Sequence, residues 1–390
     1  MNIFYNKIKS EITLSSRTSI KVLDDLKKLI KSKQDVQLLL YQRTIIKKKQ
    51  LLFFSGNKNI ISGKEKFIDD NKASPIYLSK YNNCYLFGKS SILTNDNKIA
   101  KDCILNNRYF NENIYTTDKG KLNIKTGYKP IELVHINTPV LALTSSGLQT
   151  AYTHWFTEIL TRISVFDDIR SIKNLKIIVD FHIRNYQLEQ IYLLGISENQ
   201  IVKNDDKKVY LIKELYLPGV VGLVNFHNKA FDIYNMMKEN FDLSKVSSTY
   251  KDIGSKIFIY RKELGQIRRS LLNLEQLSDI ANEKNYHKIY PEEMNIHEKI
   301  YVFGKATHII GEAGGGMTNI VFSNNKAKIM ILASDAFPSP IFTNIQSYYK
   351  FELGYIFGTS IEDIDLSHDN NSNFIISVKL FIKNLKILEK

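Results

Sequence analysis

The sequence predicts an α/β fold of parallel sheets joined by crossover helices. Three observations predict it. From residue 138 onward, strand-like segments alternate with helical segments, a pattern typical of parallel sheets. The strand-like segments are continuous apolar runs, as buried parallel strands are. A charged group and a glycine-rich group directly follow two of these runs, and ligands of doubly wound sheets bind beyond the carboxyl ends of the strands.

The first alternating set ends near Leu217-Pro218-Gly219. Pro and Gly interrupt regular secondary structure, so a domain boundary is expected at this interruption. Four apolar residues at helical spacing predict its first helix: Trp155, Ile159, Ile163 and Phe166. The other elements expected in this set are a helix over 186–194 and strands over 139–143, 175–179 and 200–202. Before residue 130 only three short segments resemble strands: 36–40, 51–54 and 84–87.

A second alternating set follows the interruption. Its strands are expected over 256–260, 287–290, 307–310 and 328–332. One helix is expected over 296–303 and another from Asn273, which with Gln276 fits the spacing of a capping box. The predicted organisation is an N-terminal domain over 1–217, a C-terminal domain over 218–358 and a tail over 359–390. We expect the tail to form a helix that packs back on the N-terminal domain.

The composition is that of a globular protein with a basic surface. Hydrophobic residues make up 43% of the 390 residues, and Lys plus Arg exceed Asp plus Glu by 54 − 40 = +14. This charge favours anionic partners, but AT-rich coding sequence also produces Lys-, Asn- and Ile-rich chains. Cys84 and Cys103 indicate neither a disulfide framework nor a zinc site. With no apolar core of a signal peptide and no run of about 18 apolar residues, a cytoplasmic protein is expected.

The glycine-rich segment GEAGGGMTN, residues 311–319, lies between a predicted strand and a predicted helix. Consecutive glycines permit positive φ angles and close approach of a ligand to the backbone, and amides at the start of a helix bind phosphate. The segment is neither a G-x-G-x-x-G fingerprint nor a P-loop. A tight turn with close helix-to-sheet packing explains it equally well. Its candidate ligand-binding residues are Gly314, Gly315, Gly316, Met317, Thr318 and Asn319.

A basic cluster, IYRKELGQIRRSLLN, follows the strand predicted over 256–260. Arg261 comes directly after the strand, and Arg268 and Arg269 precede the helix that begins at Asn273. A guanidinium is planar and permanently charged, which suits diphosphate oxygens. A solvated basic surface is the alternative. We assign these three arginines and Asn273 to the same anion site as the glycine-rich segment.

The first predicted helix carries His154, Glu158 and Arg162 on one face, because these residues recur every four positions. Glu158 and Arg162 could form an ordinary i,i+4 ion pair. His154 could act as a general base, with Glu158 one turn away to orient it. Glu158 itself, or Asp180 at the end of its strand, remains an alternative base.

These groups, in this order, resemble glycosyltransferase family 61. The matching text is HW–x2–E–x3–R, then YR with RR and N downstream, then G–x2–G–G–G–M–T–N before F–x–N–N–x–A–K–I–x–I, over about 151–332. YLLGI and YHKIYPEEM also resemble text of that family. One departure lies in the glycine-rich segment. The family usually has His-Gly-Ala-Gly, and this sequence has Ala313 followed by three glycines.

The resemblance implies a GT-B architecture, in which two Rossmann-like domains face each other across a cleft. It also implies inverting, metal-independent transfer of a hexosyl or pentosyl group from a nucleotide sugar. The acceptor would be a glycan or a lipid-linked molecule in the synthesis of capsule, lipopolysaccharide or other surface polysaccharide. The D-x-D string Asp363-Ile364-Asp365 lies outside the matched motifs, so neither a metal nor a cofactor is expected.

The sequence thus predicts a glycosyltransferase with its chemistry at His154 and Glu158. The alternative of another class is a non-catalytic module that binds nucleic acid or an anionic glycan. Nucleic acid is not expected as a partner, because the basic residues lack the aromatic–basic alternation of single-strand binders. Peripheral association with the inner face of an anionic membrane is expected through residues 21–49, which hold nine Lys or Arg among apolar residues. A solvated helical face explains that segment as well.

Overall fold

The structure, a computed structural model, describes residues 13–14, 21–23, 31, 33–57, 60, 63–88, 90–95, 98–99, 114–116, 122–124, 130–144, 151–219, 226–261, 270–361 and 372–390. In this part of the chain the strands are β1 (Thr13–Leu14), β2 (Lys21–Leu23), β3 (Val36–Tyr41), β4 (Thr44–Ile46), β5 (Phe53–Ser55), β6 (Asn71–Ala73), β7 (Ile76–Phe87), β8 (Ser91–Leu93), β9 (Lys98–Ile99), β10 (Ile114–Thr116), β11 (Leu122–Ile124), β12 (Glu132–Ala142), β13 (Lys176–Asp180), β14 (Ile201–Asn204), β15 (Lys208–Pro218), β16 (Lys256–Ile259), β17 (His287–Ile289), β18 (His308–Glu312), β19 (Lys328–Ser334), β20 (Glu352–Ser360) and β21 (Phe374–Ile375).

The α-helices of the same residues are α1 (Glu65–Ile68), α2 (Tyr152–His154), α3 (Phe166–Ile169), α4 (Asn185–Leu193), α5 (Asp232–Glu239), α6 (Ser248–Lys251), α7 (Leu274–Asn282), α8 (Ile296–Lys305), α9 (Ile341–Tyr349) and α10 (Val378–Leu388). Between α2 and α3 the chain forms a π-helical turn, Trp155–Ile159, and a 3₁₀-helix, Leu160–Val165. The other 3₁₀-helices are Glu198–Gln200, Asn228–Phe231, Leu243–Lys245, Pro291–Glu293 and Gly316–Phe322.

The first of two compact units comprises residues 1–44 and 73–223 and holds a ten-stranded mixed sheet. The strand order is β1-β9-β8-β7-β15-β12-β13-β14, with β3 beside β7 and β2 beside β3. The strands from β15 to β14 are parallel, whereas β7 runs antiparallel to β15. Ala142 pairs with Ile178, and the amide of Leu143 donates to the carbonyl of Ile178 at 2.9 Å. The carboxyl ends of β12 and β13 therefore lie side by side.

The second unit comprises residues 45–72 and 224–390 and holds a seven-stranded sheet. Its order is β17-β16-β18-β19-β20, all parallel, with β5 parallel and β21 antiparallel to β20. Numbered along the chain from β16, the order is 2-1-3-4-5, which is a doubly wound arrangement. The order reverses between β16 and β18. Ligands of such sheets bind beyond the carboxyl ends of the strands at that point.

The division of the chain differs from the predicted one. The units separate between 223 and 224 rather than after 217, and residues 45–72 belong to the second unit. The physical reason is long-range pairing, because β5 adds to the sheet beside β20. Around it, Phe54 lies 5.0 Å from Phe357 and Phe67 lies 5.0 Å from Tyr355, measured between ring centroids.

The C-terminal helix α10 also lies elsewhere than predicted. It is expected against the N-terminal domain, but Phe381, Leu385 and Leu388 are buried in the core of the second unit with Phe258 and Met330. Glu389, just after the helix, accepts hydrogen bonds from Lys256 and, at 2.7 Å, from the Tyr286 hydroxyl. The apolar face of α10 thus covers the second sheet.

Lys48 is held inside the second unit. Its ammonium donates to Thr343 Oγ1 at 2.7 Å and to Asn344 Oδ1, both on α9. Burial lowers the pKa of Lys48 to about 8, and the charge of Asp70 opposes this shift. Between pH 8 and pH 10.5 the folded state has released this proton while the unfolded state still holds it. The free energy of unfolding therefore rises with pH over that interval.

We expect the melting temperature of the wild type to rise relative to that of Lys48→Met between about pH 7.5 and pH 10. Thermal unfolding of both proteins across this range measures the difference. The matched control is Lys47→Met, because the Lys47 side chain is 74% exposed. A wild-type-to-variant difference that stays constant with pH would contradict the assignment.

Candidate functional site

The segment Tyr152 to Ile169 carries the predicted base and follows the carboxyl end of β12. The regular α-helix expected there does not form. The chain passes from α2 through the π-helical turn and the 3₁₀-helix into α3. Every residue from Trp155 to Val165 is buried, so the segment is a core element on all sides. π-helical turns of this kind are frequent at functional sites.

His154 and Glu158 meet across this turn, as the sequence analysis predicted. Nδ1 of His154 is hydrogen-bonded to Oε1 of Glu158. The Glu158 side chain is only 4% exposed, whereas that of His154 is 26% exposed. A buried carboxylate is costly without a hydrogen-bonded partner, and His154 supplies one. With Nδ1 donating to the carboxylate, Nε2 carries the lone pair of the imidazole, which is the arrangement of an oriented base.

Two contacts fix this segment against α4. The Trp155 indole Nε1 donates to Gln190 Oε1 at 2.7 Å, and both side chains are buried. The Tyr152 ring lies 5.8 Å from that of Tyr186. Burial raises the pKa of both tyrosines above the usual range, so their hydroxyls stay protonated. These contacts hold Tyr152 and Trp155, on either side of His154, against α4.

Arg162 and Asp180 lie at the same edge of the first sheet. Arg162 is buried, and its Nη1 donates to the carbonyl of Thr144, just beyond β12, at 3.5 Å. Asp180, the alternative base, is the last residue of β13 and is 5% exposed. Because β12 and β13 are parallel neighbours, the carbonyl that binds Arg162 and the carboxylate of Asp180 lie at the same edge of the sheet.

In the second unit, Arg261 and the glycine-rich segment follow two neighbouring strands. Arg261 lies two residues after the end of β16 and is exposed, and Gly314 lies two residues after the end of β18. Because β16 and β18 are parallel neighbours where the strand order reverses, both groups lie at the expected ligand edge. Among the described residues, the amides of Gly314, Gly315 and Gly316 have no hydrogen-bond partner. One cation and three available N–H groups suit an anion.

The glycines of this segment do not use the positive φ angles that the sequence analysis allowed for. Among the described glycines only Gly88 and Gly195 have positive φ, so the conformational freedom of the segment is not used. Instead, a Cβ at Gly311 would lie 2.9 Å from Ile259 Cβ, closer than packed atoms approach. A Cβ on Gly314 would meet nothing nearer than a backbone oxygen at 3.9 Å. Gly311 is thus needed for close packing against Ile259, whereas the space beside Gly314 is open.

This contrast gives a paired prediction. Gly311→Ala is expected to destabilise the protein by about 1–3 kcal/mol through overpacking. Gly314→Ala should leave the melting temperature unchanged, because its Cβ meets nothing nearer than 3.9 Å. It should weaken nucleoside diphosphate binding about 10-fold, or about 1.4 kcal/mol, because the added methyl group occupies the space through which a ligand would approach the amides. Thermal melts and calorimetric titration measure the two effects. Unchanged nucleotide affinity in Gly314→Ala would count against a ligand at this position.

The other residues assigned to the anion site differ in where the structure places them. Met317, Thr318 and Asn319 are buried, and Asn319 Nδ2 donates to the carbonyl of Gly316 at 2.9 Å. The amides of Met317 and Thr318 donate to the carbonyls of Gly314 and Gly315, each at 3.1 Å, so both the side chains and the backbone of this stretch shape the loop. Arg268 and Arg269 lie outside the described residues, as does the Asp363-Ile364-Asp365 string. Ala313 donates its amide to the carbonyl of Leu332 at 2.8 Å, and its methyl group offers no polar contact.

Asn273 does not form the predicted capping box, because its side chain makes no hydrogen bond to the start of α7. Instead its Nδ2 donates to the carbonyl of Ile376 at 2.8 Å, and its Oδ1 accepts from the amide of Ile376 at 3.2 Å. Both polar atoms of the amide are thus engaged with a segment about 100 residues later. A role of Asn273 in the anion site would compete with these two hydrogen bonds to Ile376.

Two tyrosines at the same edge were missed by the sequence analysis. Tyr260 directly follows β16, Tyr290 directly follows β17, and their rings lie 5.6 Å apart. The Tyr260 hydroxyl is bonded to Glu275, and Lys288 donates to Glu275 at 2.7 Å. Burial, then the hydrogen bond to Glu275, raises the pKa of Tyr260. Both are the last residues of predicted strands, over 256–260 and 287–290, so a search that includes the final residue of each strand would have found both.

The described ranges contain neither a metal-ligand group nor a membrane-spanning helix. No three His, Cys, Asp or Glu side chains there converge into a group that could hold a metal ion. No helix within those ranges has the length and apolar character needed to span a bilayer.

Comparison with known proteins identifies one family. The family model described as Glycosyltransferase 61 matches residues 152–330. The match begins two residues before His154 and ends within β19, so it includes the His154–Glu158 pair, Arg261 and the glycine-rich segment. The resemblance seen in the sequence is thereby confirmed. No curated protein matches the chain significantly.

Proposed function

From its glycosyltransferase family 61 region, residues 152–330, we propose that the chain is an inverting glycosyltransferase of the GT-B type. It moves a hexosyl or pentosyl group from a nucleotide sugar to a hydroxyl of a glycan or lipid-linked acceptor, in the synthesis of a surface polysaccharide. The proposal places the reaction in the cytoplasm, with peripheral attachment to an anionic membrane favoured by the net charge of +14.

One observation carries the proposal. Arg261 and the amides of Gly314 to Gly316 lie at the carboxyl ends of two neighbouring parallel strands, where the strand order of the second sheet reverses. Sugar transfer places charge on the departing diphosphate, and preorganised cations and N–H donors stabilise such charge. These groups are therefore assigned to the diphosphate of the donor, and the proposed mechanism needs no divalent metal.

The second requirement is a base for the acceptor hydroxyl. Inversion needs the acceptor to attack from the face opposite the leaving group while a positioned side chain removes its proton. His154 is the group we assign, because Glu158 holds its Nδ1 and leaves Nε2 as the basic nitrogen. Glu158 stabilises the imidazolium that forms, as a buried carboxylate does for a catalytic histidine.

A thermal-shift panel tests the proposal. The full chain is heated with each common nucleoside diphosphate and nucleotide sugar, with magnesium or with EDTA, and at two salt concentrations. We expect one nucleoside diphosphate and its sugars to raise the melting temperature in both metal conditions. Mass spectrometry of the product formed from that sugar then identifies the transfer. Stabilisation by RNA that disappears at high salt, with no response to any nucleotide, would instead indicate the non-catalytic binding module.

A further inference from the structure

The loop after β13 presents an aromatic side chain to solvent. Phe181 is 46% exposed, at the tip of a turn closed by the amide of Ile183 donating to the carbonyl of Asp180 at 3.1 Å. Within the described residues the only other large exposed aromatic is Tyr192, at 37%. A single exposed apolar side chain needs no explanation by itself, so the place of the ring in the fold decides its meaning.

The loop lies at the edge of the first sheet that carries His154. The carboxyl end of β13 lies beside that of β12, after which the His154 segment begins. The loop leads into α4, and Tyr186 in the first turn of α4 contacts Tyr152, two residues before His154. Trp155, the residue after His154, is bonded to Gln190 on the same helix. Phe181 is therefore fixed on the side of the unit where the proposed base acts.

The surroundings of Phe181 select the kind of ligand. The neighbouring His182, Arg184 and Asn185 are exposed and polar, and the His182 ring stands edge-on to Phe181 at 5.1 Å. A lipid tail or an apolar protein surface would require a continuous apolar patch, whereas here one ring stands among polar groups. A pyranose ring matches this arrangement. Its C–H face is attracted to the negative face of an aromatic ring, and its hydroxyls meet the polar rim.

We propose that Phe181 is the stacking platform of an acceptor subsite, and that the acceptor presents a pyranose ring there. This inference rests on the proposed function and adds the chemical class of the acceptor. It places acceptor recognition within the region that matches the family model, residues 152–330. Phe181 takes no part in proton transfer or donor binding.

A binding experiment tests the platform without knowledge of the natural acceptor. The chain has a single tryptophan, Trp155, which is 1% exposed, so Phe181→Trp adds a distinguishable exposed fluorophore. The probes are methyl pyranosides of glucose, galactose and N-acetylglucosamine, with open-chain sorbitol as the ring-free control. We expect at least one pyranoside to shift the emission saturably, with no response in Tyr192→Trp. Pyranosides that act no more than sorbitol, or that act equally on both variants, would overturn the inference.

A kinetic experiment separates this inference from the proposed function. With the nucleotide sugar found by thermal shift and the best pyranoside as acceptor, Phe181→Ala is expected to raise the acceptor KM about 10-fold, with kcat within about 2-fold. Donor hydrolysis without acceptor and the thermal shift by nucleoside diphosphate should match the wild type, and Tyr192→Ala should match it throughout. A wild type that neither binds nor releases nucleoside diphosphate refutes the proposed function, and the fluorescence result then decides the platform alone. An active wild type with an unchanged acceptor KM in Phe181→Ala refutes the platform alone.

Discussion

Replacing His154 with Gln is expected to lower sugar transfer by about 10²–10⁴-fold, the usual contribution of a general base. Gln keeps a donor for the buried carboxylate of Glu158, so the fold is not left with an unpaired charge, but it has no basic nitrogen. Nucleoside diphosphate affinity should stay within a few-fold of the wild type, because Arg261 and the glycine-rich segment are untouched. Steady-state release of nucleoside diphosphate and calorimetric titration measure the two quantities.

The controls separate His154 from the other candidate bases. His135→Ala removes an exposed histidine on β12 and should leave transfer unchanged. If Glu158 or Asp180 were the base, its amide variant would abolish transfer while His154→Gln retained it. Wild-type turnover by His154→Gln would end the assignment.

Local pattern was enough to predict most of the parallel strands, although β15 and β20, parallel to β12 and β19, were not predicted. The strands expected over 256–260 and 328–332 are β16 and β19 within two residues at each end. They could be predicted because a short apolar run between turn residues is typical of a buried parallel strand. Arg261 and the glycine-rich segment were both selected as groups that follow strands. Their assignment to one anion site was made from the motifs. It depends on β16 pairing with β18 as well as with β17, a long-range contact that local pattern does not specify.

Features set by contacts between distant residues were missed for the same reason. β5 pairs with β20 across about 300 residues of chain, and nothing in the segment near residue 53 indicates its partner. Asn273 fits a capping box by spacing, yet Ile376, far along the chain, engages its side chain. The π-helical turn beside His154 is likewise a product of packing on every side. Spacing of apolar residues cannot distinguish it from an α-helix.

The second large effect is expected at Arg261. Arg261→Ala should weaken nucleoside diphosphate binding by roughly 10–100-fold, because a charge-assisted hydrogen bond contributes about 1.5–3 kcal/mol. Arg261→Lys keeps the charge but loses the planar fork, so its affinity should fall between those of Ala and the wild type. Lys284→Ala changes the net charge equally at an exposed position after α7 and is the matched control. Calorimetric titration at two salt concentrations separates contact from long-range attraction, since only the latter is strongly screened. Equal losses in Arg261→Ala and Lys284→Ala would mean that Arg261 adds only general charge. A loss confined to Arg261, graded from Ala to Lys, would mean that the guanidinium contacts the diphosphate directly.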